Sequence, residues 1–143
     1  MRTKFVNIFG LVLTSAVLSA CAQYSVGGTF EGTGQQFFGE VTVMPGDIGT
    51  IKIETLDGSV ACDGTSRVTS RASLMTVVGA QGMATAECTD GSSFKVDFIQ
   101  TTESGGHGQG ISSNGSIIKL NFNTSNAVVR SSLEMDQLDA LIQ

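Results

Sequence analysis

The chain has no tryptophan, one tyrosine, one proline and one histidine. With His107 as the lone imidazole, a closed zinc site has too few nitrogen ligands, because such a site wants four donors. A Ser-His-Asp triad would have to be built around that one ring. Serines are frequent, but none stands in a Gly-x-Ser-x-Gly elbow, and hydrolysis is disfavoured. Acidic residues sit mostly at turn signals, where Asp caps the backbone, and the acidic spacing of an EF-hand loop is absent. Positive charge is also scarce: eight Lys/Arg face thirteen Asp/Glu, for a formal net charge of −5. That balance leaves no footprint for nucleic acid and no basic patch for an anionic lipid surface. No run of apolar residues reaches the roughly 20 needed for a membrane-spanning helix.

What is abundant is glycine, with eighteen copies. Serine and threonine are plentiful too, with Val, Ile and Phe spread among them. That mixture favours many short strands and tight turns over helices.

The amino terminus has a basic start at Arg2 and Lys4, then an apolar run from Phe5 to Leu18, broken by Asn7, Gly10, Thr14 and Ser15. This order is that of a secretory signal. It ends in Leu18-Ser19-Ala20-Cys21, which resembles the lipobox of bacterial lipoproteins. The resemblance covers residues 1–21. It implies cleavage before Cys21, a diacylglycerol thioether on its sulfur and an acylated amino terminus. In lipoproteins of this kind an Asp after the lipidated Cys favours inner-membrane retention. Ala22 stands there, so the resemblance implies the outer membrane, with the domain facing the periplasm or the cell surface. Three acyl chains would hold far more firmly than the one that binds marginally.

From residue 21 onward six Lys/Arg face thirteen Asp/Glu, so the exported part is more acidic than the whole chain. If Cys21 carries lipid, two cysteines remain, Cys62 and Cys88. Export would place them in an oxidising compartment, and a pair allows one bridge. That bridge would close a loop of about 27 residues, for roughly 3–4 kcal/mol by the chain-entropy estimate. The alternative is two buried free thiols.

Residues 21–35 read as the lipidated amino terminus and a Gly-rich tether, with a first strand starting around Gly28 to Glu31. Residues 36–44 and 50–56 form a hairpin about Pro45-Gly46-Asp47, in which Ile51 and Ile53 alternate with Lys52 and Glu54. Asp57-Gly58, Asp63-Gly64 and Asp90-Gly91 read as turns. Strands follow over 66–72, 73–80, 82–89 and 94–100, and a hairpin on Asn114-Gly115 carries Ile118, Leu120 and Phe122 inward. The Cys-Asp-Gly and Cys-Thr-Asp-Gly segments echo each other. If both turns lie at one end of a sheet, the two sulfurs share a level. The segment 55–122 also resembles small exported β-domains of unknown function in proteobacteria, which carry no known chemistry. Ser131-x-x-Glu134 reads as a capping box opening a helix over about 132–142.

The expected architecture is one all-β domain over 36–130, a small antiparallel sandwich or barrel of about seven to nine strands, with a short C-terminal helix within 131–143. The candidate ligand loop is 103–110, with Gly105, Gly106, His107, Gly108 and Gly110. Its backbone could offer amide donors to an anion, although a phosphate loop should lead into a helix. No cofactor, metal site or catalytic set is expected. The leading functional expectation is a non-enzymatic, lipid-anchored component of an envelope or surface complex with a protein partner. The alternative is an inhibitor of a periplasmic or foreign hydrolase such as lysozyme. An enzyme or ligand carrier using the 103–110 loop ranks last.

Overall fold

The structure, a computed structural model, describes residues 21–143. The signal segment and the first three lipobox residues lie outside the described residues. Eight antiparallel strands follow one another up and down and close into a barrel: β1 Ala22–Phe30, β2 Gln35–Met44, β3 Ile48–Thr55, β4 Ala61–Ser70, β5 Gln81–Cys88, β6 Ser93–Gln100, β7 Gly105–Ser112 and β8 Ile117–Asn123. Each strand pairs with its sequence neighbours, and β1 pairs with β8 to shut the ring. Closure leaves no unpaired sheet edge. One helix, α1 Asn126–Ile142, follows.

Alternation sets the wall. Ile51, Ile53, Phe94, Val96 and Ile118 are buried inside, while Lys52, Asp63, Arg67, Lys95, Asp97 and Lys119 between them are exposed. An apolar inside and a charged outside is the reverse of the pattern in a membrane-spanning barrel, so this wall faces water. The four short turns at one end carry glycines at positive φ, including Gly58, Gly91 and Gly115. The other end carries the one long connection, 71–80, beside the short 45–47 and 101–104.

Five expectations change. The tether is instead largely β1: Val26 and Gly28 face inward and Gly27 is covered by α1, so burial outweighs the low strand propensity of this Gly-rich stretch. Asp63 and Gly64 lie inside β4 rather than in a turn, so Cys62 opens a strand instead of closing one. Residues 73–80 are an irregular connection, not a strand. The glycines from 105 onward belong to β7, and the true loop is only 101–104. The helix starts at Asn126, before the expected capping box. Ser131 lies within it and its Oγ donates to the Ala127 carbonyl at 2.9 Å.

That earlier start lets Val129 and Leu133 bury against β1, where Gly27 has no side chain to hold them off. Gln36 Nε2 donates to the Leu133 carbonyl at 2.9 Å, and the Arg130 guanidinium lies 4.2 Å over the Phe38 ring. Beyond Leu133 the helix is free of the wall, with Met135, Leu138, Leu141 and Ile142 exposed.

Candidate functional site

Inside the barrel, side-chain size decides where space remains. Near the short turns, Phe30 and Phe37 pack at 5.0 Å between centroids, and Phe94, Ile118 and Val60 fill around them. Cys62 and Cys88, opposite each other on β4 and β5, form a disulfide there with Cα atoms 4.0 Å apart.

Toward the other end the inward residues shrink or disappear. Ser66 on β4 and Ala80 and Ala84 at β5 present small side chains to the interior, and β7 presents glycine. A cavity of about 230 Å³ opens there, walled by Val26, Val41, Val43, Ile51, Val68 and Val77 on one part and by Tyr24, Phe98 and Phe122 on another. Eight strands enclose just enough room for side chains or one small ligand. Apolar cavities of comparable size stay dry and accept a small apolar molecule.

The β7 glycines shape this wall without lining the cavity themselves. Gly106 and Gly108 alternate inward with His107 and Gln109 outward. A Cβ at Gly106 would lie 2.8 Å from Phe122 Cζ, and one at Gly108 would lie 2.8 Å from Val96 Cγ1. The bare strand lets Phe122 lie across it and meet Phe98 edge-to-face at 5.8 Å, and Tyr24 meets Phe122 at the same distance. Gly105, Gly106, Gly108 and Gly110 are therefore brought to one strand rather than to an anion-binding loop. His107 is exposed on the outer wall, away from the cavity. The candidate anion loop is corrected: ladder pairing with β6 and β8 occupies the backbone from Gly105 onward.

Polar groups at the mouth are few. Gln100 is buried and donates weakly to Tyr24 Oη and to the Glu103 carbonyl. Arg71 closes one side by an ion pair with Asp47, donating from Nε to Oδ2 at 3.1 Å and from its terminal nitrogen to Oδ1. The Arg71 hydrogen bonds hold the Asp47 carboxyl below its usual range, and Asp47 raises the guanidinium in turn. Asp47 is the one described non-glycine residue at positive φ, 65°, which Asp tolerates better than most. The 71–80 connection then crosses the rim. Gly79 N–H donates to the Gln100 carbonyl at 2.7 Å, and Thr76 hydrogen-bonds Glu103. Among the described residues no three His, Cys, Asp or Glu side chains cluster as a metal site.

Sequence reasoning misses this cavity. The available signal is the run of small inward residues, Ser66, Ala84, Gly106 and Gly108, on strands that otherwise alternate large apolar groups. In the sequence, small residues beside Cys88 read instead as room for the disulfide.

No family model and no curated protein matches the chain. A solved structure described as a de novo designed fluorescence-activating β-barrel is similar to it, with a TM-score of 0.54 and 15% identity, covering 73% of this chain and 93% of that one. At that identity the likeness concerns the fold alone.

Proposed function

We propose that the protein is a lipid-anchored, non-enzymatic envelope lipoprotein of the outer membrane whose barrel binds a small apolar molecule, or the apolar part of a larger one. The observation that carries the binding half is the open-ended cavity of about 230 Å³ walled by valines and aromatic rings. Its few polar groups, Gln100, Tyr24 and Ser66, would orient a ligand rather than react with it. The anchoring half is supported by the lipobox-like Leu18-Ser19-Ala20-Cys21 and by a disulfide suited to an exported domain. An envelope protein partner finds a surface in the free half of α1, where Leu138, Leu141 and Ile142 stand exposed.

Two measurements test the reading. A chain started at residue 21 with Cys21→Ser is titrated with the neutral fluorophore N-phenyl-1-naphthylamine. Saturable, blue-shifted emission at one dye per chain is expected, and Ala84→Phe should abolish it. Emission that never saturates, or that is indifferent to Ala84→Phe, removes the binding half. Intact mass of the Cys21 peptide from the full-length exported protein should show a diacylglyceryl adduct, and an unmodified cysteine removes the anchor.

A further inference from the structure

Cys21 is not held off the barrel. Ala22 is the first residue of β1 and also lines the cavity mouth. The residue expected to carry lipid therefore sits on the mouth rim, with no spacer between bilayer and domain.

The rim carries a second apolar feature. In an eight-strand ring β1 lies across from β4 and β5, so the 71–80 connection occupies the side opposite Cys21. At its tip Leu74 and Met75 are 95% and 94% exposed, more than any other large apolar residues described. Two adjacent apolar side chains held fully in water is a costly arrangement for a free surface. They are not a fraying tail. The connection is tied down by Met75 N–H to Ser73 Oγ, by Val78 N–H to Thr76 Oγ1 and by the Gly79–Gln100 bond. Met44 and Ile48, each 41% exposed, add apolar surface from the β2–β3 hairpin at the same end.

Charge separates the two ends further. At the mouth, Asp47 is neutralised by Arg71 and Glu103 is engaged by Thr76. The short turns at the closed end expose Asp57 and Asp90, each accepting from the hydroxyl and N–H of a serine two residues on. Those hydrogen bonds keep both carboxyls below their ordinary range, so they stay ionised near neutral pH and disfavour that end against anionic headgroups. Leu56, Ile111 and Ile117 are exposed there, but among these acids.

We infer that the mouth of the barrel is a membrane-contact face: lipid on Cys21 holds one side of the rim, Leu74 and Met75 enter the bilayer on the other, and the cavity opens onto acyl chains rather than water. The inference rests on the proposed anchor and adds an orientation to it. It gives the cavity's ligand a source, a hydrophobic molecule that partitions into the bilayer.

The chain has no tryptophan, so one introduced indole reports alone. Leu74→Trp and, as the opposite-end control, Leu56→Trp are made in the full-length exported protein. Each is purified, checked by intact mass for the adduct on Cys21, and reconstituted into vesicles of phosphatidylethanolamine and phosphatidylglycerol with lipids brominated in the acyl chain. The expected result for L74W is blue-shifted emission with at least twofold quenching by bromolipid. The indole of L56W should stay red-shifted and be quenched only by aqueous iodide. A lipidated L74W protein that emits as in water, or an L56W protein that is the one quenched by bromolipid, overturns the orientation. A mass without the adduct overturns the anchor itself, and with it the orientation. The mass thus separates failure of the anchor from failure of the mouth-down geometry.

Discussion

At the closed end of the barrel, Phe30 and Phe37 pack at 5.0 Å, Ile118 and Phe37 are almost wholly buried, and a disulfide joins β4 to β5. At the mouth, Phe98 and Phe122 also meet, but their free faces look onto a cavity, and an ion pair at the rim takes the place of a covalent tie. The same eight strands run through both regions, so backbone pairing does not distinguish them. Side-chain volume does. Dense packing fixes a unique core, whereas small inward residues leave room for something else. Stability concentrates at one end and free space, the proposed binding site, at the other.

The largest effect expected from this division is on the packed side. Phe37→Ala should cost about 3–5 kcal/mol, read as a lowered urea midpoint. Phe98→Ala, which enlarges an existing space, should cost less than about 2 kcal/mol, because little packing is lost. Equal costs would show that the mouth is packed as tightly as the closed end. Next comes the disulfide. Replacing Cys62 and Cys88 together by Ala should lower stability by about 3 kcal/mol. The non-reducing mass of the wild type should lie two hydrogens below that of its reduced form, and two titratable thiols would sink the claim.

A paired substitution on β5 sharpens the contrast. Ala84 borders the cavity, whereas Ala86 packs against the bare backbone of Gly64, where an added Cβ would stand 2.6 Å from the Ala86 Cβ. Ala86→Leu should overpack and destabilise by about 1–3 kcal/mol. Ala84→Leu should leave thermal stability unchanged or raised while weakening dye binding by about tenfold or more, since the added side chain takes up the ligand's space. Comparable melting losses in both variants would mean that the cavity has no room for a side chain, and hence none for a ligand.

Much of the wall is legible in the residues alone. Ile51-Lys52-Ile53-Glu54 and Phe94-Lys95-Val96-Asp97 alternate so cleanly that only one face can be buried. Asn114-Gly115 marks its hairpin by the positive φ that glycine takes there. Two strands escape for one reason. β1 and β7 present glycine where other strands present Val or Phe, so they carry little periodic signal, yet ladder partners on both sides hold them extended. Tertiary pairing overrides local propensity. Ser131-x-x-Glu134 fits a capping box and so misplaces the helix start, while the actual start at Asn126 follows from Val129 reaching Gly27 across the wall. The cavity is hidden more deeply. Tyr24, Val68, Phe98 and Phe122 are scattered along the chain and share a volume only once β1 pairs with β8.

Acid distinguishes the two ends last and most gently. Asp47 at the mouth and Asp57 and Asp90 at the closed end all have lowered carboxyl pKa values. The sign follows from linkage. A carboxyl held below its unfolded value near 3.8 adds stability above that pH, and the contribution fades as pH falls through the folded value. Arg71, raised above its ordinary value by Asp47, adds stability below that value and loses it only in strong alkali. Stability from these groups should thus be level between about pH 5 and 10 and decline below about pH 4. Asp47→Asn breaks the rim pair, and Asp57→Asn weakens the β3–β4 turn and its contact with Gln35 at the start of β2. The first should lower the protection of amides in 71–80 at about pH 7 and remove the further loss of protection on going to about pH 3, with intrinsic exchange rates divided out and β3–β4 turn amides unaffected. The second should do the converse. Because all three carboxyls are solvent-facing, the shift in global midpoint should be small in both variants. A large one from Asp47→Asn would mean that the rim pair holds the barrel shut, not merely the connection that crosses its mouth.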